Sequence, residues 1–173
     1  MEFSALLEKR YSVRKFTSRP VEEEKERSIL EAGRIAPTAK NLQPQRLLVV
    51  RGKEGRGKLD KAARLYGAPL AVIACYDSRE SWKRPFDGMD SGQIDASIVT
   101  ALMMLEAENQ GLGTLWVCFF DPDILRREFN LPEYIVPVNI LAIGYPAEDA
   151  APSKLHYSRK RLAETTAFES HSW

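Results

Sequence analysis

Between residues 93 and 110 the chain carries apolar side chains on almost every face of a helix, and few folds can accommodate such a segment. Ile94, Ile98, Leu102 and Leu105 mark one stripe, and Ala96, Val99, Met103 and Ala107 make the rest of the circumference nearly as apolar. A helix of that kind has to be covered from more than one direction. It belongs at a domain centre or at a subunit interface. Gly111-Leu112-Gly113 ends it and turns the chain into a strand predicted over 114–119.

The flanking segments set the rest of the plan. Phe3, Leu6 and Leu7 predict a short amphipathic helix at the start. A second helix is predicted to run to about Ala36, with Glu22, Glu23 and Glu24 against its positive end and Pro37 stopping it. Its buried stripe is Ile29, Ala32, Gly33 and Ala36. A polar loop over 38–44 leads into a strand at 46–50, a charged Gly-rich turn, and a short helix predicted over 58–66. Residues 70–76 form an uninterrupted apolar run of strand length, and 77–92 a long loop holding Trp82, Arg84 and Phe86. Asp121 caps a further helix with Pro122 in its first turn, and 136–143 is the last core strand. Two helices precede the first strand and no regular βαβ spacing follows, which favours α+β or a layered α/β arrangement over a doubly wound sheet. The chain reads as one domain, 1–173. Its tail, from about 147 onward, is polar and basic (Lys154, Arg159, Lys160, Arg161) and cannot build a core alone, so it either frays or lies across another surface, such as a partner subunit.

Composition removes several classes of function. Twenty-five basic against 24 acidic residues leave no net field to attract nucleic acid or an anionic membrane. The amino terminus has no signal-peptide pattern, and no run approaches the roughly 20 apolar residues of a membrane span, so a cytoplasmic location is expected. Cys75 and Cys118 both fall in apolar strand-like runs and are expected to be buried free thiols. His156 and His171, the only histidines, lie in the polar tail, leaving little basis for histidine catalysis or a histidine-rich metal site.

Two segments carry candidate chemistry. In an extended backbone, alternate residues project to one side, so Arg10, Ser12 and Arg14 of the RYSVR segment would converge on one point. Two guanidinium forks and a hydroxyl suit a phosphate dianion. An isolated RxSxR is commonly only a solvated basic turn; the 38–44 loop adds the second half, because the amides of Asn41 and Gln43 offer donors and acceptors fitted to a heterocycle edge. A competing motif, Gly52 to Leu59, matches the GxxxxGK of a phosphate-binding loop. Leu59, however, stands where a serine or threonine would ligate magnesium, and an alkyl chain offers no oxygen.

RYSVRKF (10–16), APTAKNLQP (36–44), the 90–117 segment, FDPDILRREFNLP (120–132) and LAIGYPAE (141–148) together resemble the FMN-dependent nitroreductase family, in register over nearly the whole chain. The resemblance implies a layered α/β/α sandwich of α+β class, with a mostly antiparallel central sheet, forming an intertwined homodimer with FMN at the interface. It implies that Arg10, Tyr11, Ser12 and Arg14 hold the FMN phosphate and ribityl chain, with Arg159 and Lys160 in the tail. Pro37, Thr38, Ala39, Asn41 and Gln43 would reach the flavin from the other subunit. NADH or NADPH would reduce the flavin, and a nitroaromatic, quinone or similar acceptor would then leave with the electrons in a ping-pong cycle. A flavin-binding protein with little turnover, or a P-loop nucleotide-binding protein, are the alternatives. Three departures stand out: Cys118-Phe119-Phe120 where relatives place small residues, the lack of inserted covering helices, and Arg161 where proline is common.

Overall fold

The computed structural model describes residues 2–170; His171 lies outside them. The elements run α1 (Phe3–Lys9), α2 (Glu23–Arg34), a short 3-10 turn (Ala39–Asn41), β1 (Gln45–Val50), α3 (Lys53–Leu59), β2 (Leu70–Asp77), α4 (Gly92–Asn109), β3 (Gly113–Val117), α5 (Pro122–Phe129) and β4 (Ile135–Gly144). Two further 3-10 turns, Lys154–Tyr157 and Leu162–Glu164, lie in the tail.

The four strands form one sheet in the order β1-β2-β4-β3, every neighbouring pair antiparallel. The two-residue period of β2 and β4 divides the core between its faces. Ala71, Ile73, Cys75, Ile140 and Ala142 pack with Leu59 of α3 and Leu125 of α5 on one side. Leu70, Val72, Leu141 and Ile143 pack with Ile29 of α2 and with Val99, Met103 and Ala107 of α4 on the other. The result is a three-layer α+β sandwich, as the mixed element order implied.

Helix α4 uses only part of its apolar circumference inside the fold. Ala96, Val99, Met103 and Ala107 are buried, whereas Ile94 is about half exposed. Leu102 and Leu105 line an open apolar groove with Phe3, Leu6, Ala32 and Ile35. No helix among the described residues is long and apolar enough to cross a membrane.

Three expectations are corrected. The third helix occupies Lys53–Leu59 rather than 58–66. Gly52 stands at its amino end, and Gly55 lies inside it, against Val50, whose Cγ1 a Cβ there would meet at 2.8 Å. Past Leu59 the helix cannot continue through Tyr66 and Gly67, which both have left-handed backbone (φ 54° and 80°). The apparent phosphate-binding loop is therefore a helix, and its Leu59 is fully buried in the core. The β3 strand ends at Val117, short of Phe119. Cys118 consequently leaves the ladder and is exposed, while Cys75 in central β2 is buried as expected.

Candidate functional site

The segment 10–16 is extended from the end of α1 and lies along β3. Arg10 already has extended backbone (φ −60°, ψ 126°), Ser12 bridges Thr114 in parallel, and the Val13 amide donates to the Thr114 carbonyl at 2.8 Å. Val13 is buried, so alternation turns Ser12 and Arg14 away from the core side that Val13 occupies. Gly113 permits the close approach: a Cβ there would stand 2.5 Å from Val13 Cγ2.

Of the cations in this strip, Lys15 pairs with Asp149, but the two arginines are left without a carboxylate. Arg10 and Arg14 make no ion pair among the described residues. Arg14 reaches only the Ser12 carbonyl, at 3.3 Å. The buried Thr114 hydroxyl beneath the strip has no partner. Tyr11 turns toward the tail, its hydroxyl donating to the Ala150 carbonyl at 3.4 Å; burial, with help from the Glu108 carboxylate, raises its phenol above the ordinary value.

Beyond Arg14 a small cavity of about 180 Å³ is lined by Arg14, Arg64, Tyr66 and residues 115–119. The Arg64 guanidinium lies over the Tyr66 ring at 4.6 Å. Ala63 bridges Phe120, and the Asp121 amide donates to the Ala62 carbonyl at 3.0 Å, so this turn is stitched beside the end of β3. Cys118 and Phe119 face solvent there. Arg64, Tyr66 and the exposure of Cys118 escape a reading of the sequence; the Tyr66-Gly67 pair before β2 is the only local hint of a turn.

The amide-bearing loop sits elsewhere. Pro37, Asn41 and Gln43 are exposed, with Thr38 and Ala39 half-buried, and the loop feeds β1. β1 and β3 are opposite edges of the sheet, separated by three inter-strand spacings, roughly 14 Å. The antiparallel registers point the start of β1 and the end of β3 toward the same end of the sheet, Val117 stopping level with Leu48. One chain therefore does not bring Asn41 and Gln43 onto Arg10, Ser12 and Arg14. Arg159 is exposed and donates to the carbonyls of Leu155 and Ser158, and Lys160 is exposed. The tail passes the Tyr11 ring at His156, centroids 6.4 Å apart, three residues before Arg159. Its Leu155, Tyr157, Leu162 and Phe168 are all largely exposed.

A larger groove between α2 and β1, about 550 Å³, has charged walls. Arg34 pairs there with Glu31 and Arg51 with Glu26, and Arg27, in no ion pair among the described residues, shares the groove with the Glu23 carboxylate, so acidic side chains line it alongside every cation, unlike the β3 edge at Arg10 and Arg14.

The molecule is thus a three-layer α+β protein with an uncompensated cationic strip laid along one sheet edge. The chain belongs to the nitroreductase family, whose profile matches residues 7–66 and 58–145, and it is an oxidoreductase. A nitroreductase family protein of Clostridium difficile superposes with a TM-score of 0.94 at 48% identity, covering 99% of this chain and 100% of that one. An NADH dehydrogenase of Thermus thermophilus is 31% identical over 84% of this chain and 87% of its own length. An FMN reductase (NAD(P)H) of Bacillus subtilis is 30% identical over 81% of this chain and 64% of its own.

Proposed function

We propose that the protein is an FMN-dependent NAD(P)H oxidoreductase that reduces nitroaromatic, quinone or similar electron-poor acceptors by a ping-pong mechanism, acting as a homodimer. The observation that carries this reading is the extended strip with two free guanidiniums and a hydroxyl held on β3. Its donor set fits a flavin phosphate and polyol chain: arginine forks for the dianion, and the Ser12 hydroxyl for a further oxygen. When bound, FMN supplies the redox chemistry, taking hydride from NAD(P)H and passing reducing equivalents to the acceptor.

The chain's own residues bind and orient. Arg10, Ser12 and Arg14 would hold the phosphate and ribityl portion, with Tyr11 bracing the strip against the tail. The backbone at Cys118–Phe119, outside the β3 ladder, is the nearest open edge for the ring. A cavity of about 180 Å³ is small beside the 300–1,000 Å³ usual for ligand pockets, so one chain offers only part of the site. Pro37, Thr38, Ala39, Asn41 and Gln43 of a second copy would complete it. The open face of α4 and the exposed apolar tail residues support such an assembly, with Arg159 and Lys160 carried toward the phosphate side. Donor and acceptor would then use the same open face in turn.

The test is direct. Purified protein should take up FMN, show a flavin absorption spectrum, and bleach rapidly on anaerobic NADH addition; a protein that binds flavin but resists bleaching would be a flavin binder with little turnover. Removal of Arg14 in Arg14→Ala should weaken FMN binding by about 10- to 100-fold, the value of a charge-assisted hydrogen bond, with thermal stability unchanged. Unaltered affinity would refute the anchor.

A further inference from the structure

We propose that Asp95, in the first turn of α4, is the positioning residue that holds the 38–43 loop in the shape from which Asn41 and Gln43 address the flavin ring. The inference rests on the reading that this loop faces FMN. The Asp95 side chain is buried, with the residue 2% exposed, and both of its oxygens are engaged. One accepts the Ala39 amide at 2.9 Å, and the other accepts the Ser91 hydroxyl at 2.8 Å. A buried carboxylate without such donors is strongly disfavoured. No cation pairs with Asp95 among the described residues, so the two hydrogen bonds are its compensation.

The loop it holds is unusual. Lys40, Asn41 and Gln43 all have left-handed backbone, with φ of 52°, 55° and 53°, and none is glycine. Three such residues in four positions persist only where the surroundings over-determine them. Within the loop, Asn41 donates to the Thr38 carbonyl at 2.9 Å, Leu42 to the Ala39 carbonyl at 3.2 Å, and the Gln43 amide to the Thr38 hydroxyl at 3.0 Å. Those bonds shape the loop against itself. The Asp95–Ala39 bond ties it to the rigid central helix. The Ser91 amide in turn donates to the Trp82 carbonyl at 3.0 Å, so the same short stretch of chain also anchors the 77–92 loop. With Ala39 fixed and the backbone wound to the left, the Asn41 and Gln43 residues remain exposed, the Gln43 side chain held only by a 3.3 Å bond to the Asn41 carbonyl.

Asp95→Ala and Asp95→Asn test this in the full chain, with affinity for FMN and for riboflavin measured by flavin fluorescence, and exchange of the 38–43 amides measured in the flavin-free protein. Asp95→Ala should weaken both flavins by on the order of tenfold, leave the FMN-to-riboflavin ratio unchanged, and speed exchange at 38–43. The ratio separates ring positioning from damage to the phosphate anchor, which Arg14→Ala should lower instead. Asp95→Asn keeps an oxygen for Ala39 and should restore affinity to within about threefold of wild type. If Asp95→Ala does not accumulate as folded protein, Ser91→Ala frees one carboxylate oxygen and should shift the same readouts in the same direction. Wild-type flavin affinity together with wild-type loop exchange in the variants would overturn the proposal while leaving the FMN reading intact. A wild-type protein that binds neither flavin would overturn both.

Discussion

Gly92 offers the sharpest test of the packing that underlies the site. It is the first residue of α4, and the Tyr76 ring of β2 packs directly against it. A Cβ placed on Gly92 would stand 2.0 Å from Tyr76 Cδ2 and 2.2 Å from Cε2, against the 3.4 Å at which ordinary contact begins. The ring would therefore have to retreat by about 1.4 Å. It has little room to do so. Tyr76 is buried in the sheet next to its last residue, and its hydroxyl donates to Asp90 at 3.3 Å. Overpacking of this kind costs about 1–3 kcal/mol, and the better helix propensity of alanine returns about 0.5–1 kcal/mol. Gly92→Ala should thus lose up to about 2.5 kcal/mol, a fall of up to roughly 10 °C in Tm for a chain of this size. Gly57→Ala is the matched control: it lies in α3, a Cβ there meets nothing within 4 Å, and it should gain about 0.5–1 kcal/mol. Thermal unfolding of both variants decides the matter. A Gly92→Ala protein as stable as Gly57→Ala would refute the contact.

Other outcomes follow from charge and exposure. Hydrogen bonds from the Arg79 side chain hold the Asp77 carboxyl at about 2, below its usual 3.8, so its contribution to stability is complete above that usual value and is lost as pH falls toward 2. Urea midpoints across that window should fall less steeply in Arg79→Gln than in wild type, and identical slopes would contradict the pairing. Native protein should show one fast thiol toward an aromatic disulfide reagent, Cys118, because Cys75 is buried and desolvation pushes its thiol up to about 12. Cys118→Ser should abolish that reaction and FMN should slow it; no protection by FMN would place the ring elsewhere.

Residue pattern carried far where one local rule acted alone. The uninterrupted apolar run at 70–76 and the core segment at 136–143 foretold strands, although not that β2 would lie beside β4. Asp121 caps α5 as its type and spacing implied, accepting the amides of Asp123 and Ile124 at 2.9 and 3.0 Å. The α3 boundary went wrong because glycine content suggested a loop, whereas Gly55 is required by the proximity of Val50, a contact invisible in sequence. Cys118 went wrong because apolar neighbours imply burial only while the strand lasts, and β3 stops one residue earlier. Asp95 carried no local signal, because an acidic residue in a helix's first turn favours the helix dipole wherever the helix sits.

Side-chain chemistry along the chain was sufficient to determine that this is a mixed, layered domain, that its longest helix is apolar on most faces, and that an Arg-Ser-Arg pattern alternates along the segment 10–14. Those are properties of periodicity, which is local. Only the folded arrangement decided that the strip and the amide loop lie on opposite edges of one sheet, that Arg64 and Cys118 join the strip's end, and that a buried carboxylate grips the loop. Such relations depend on strand order and on packing between residues far apart in the chain, and no local pattern encodes them.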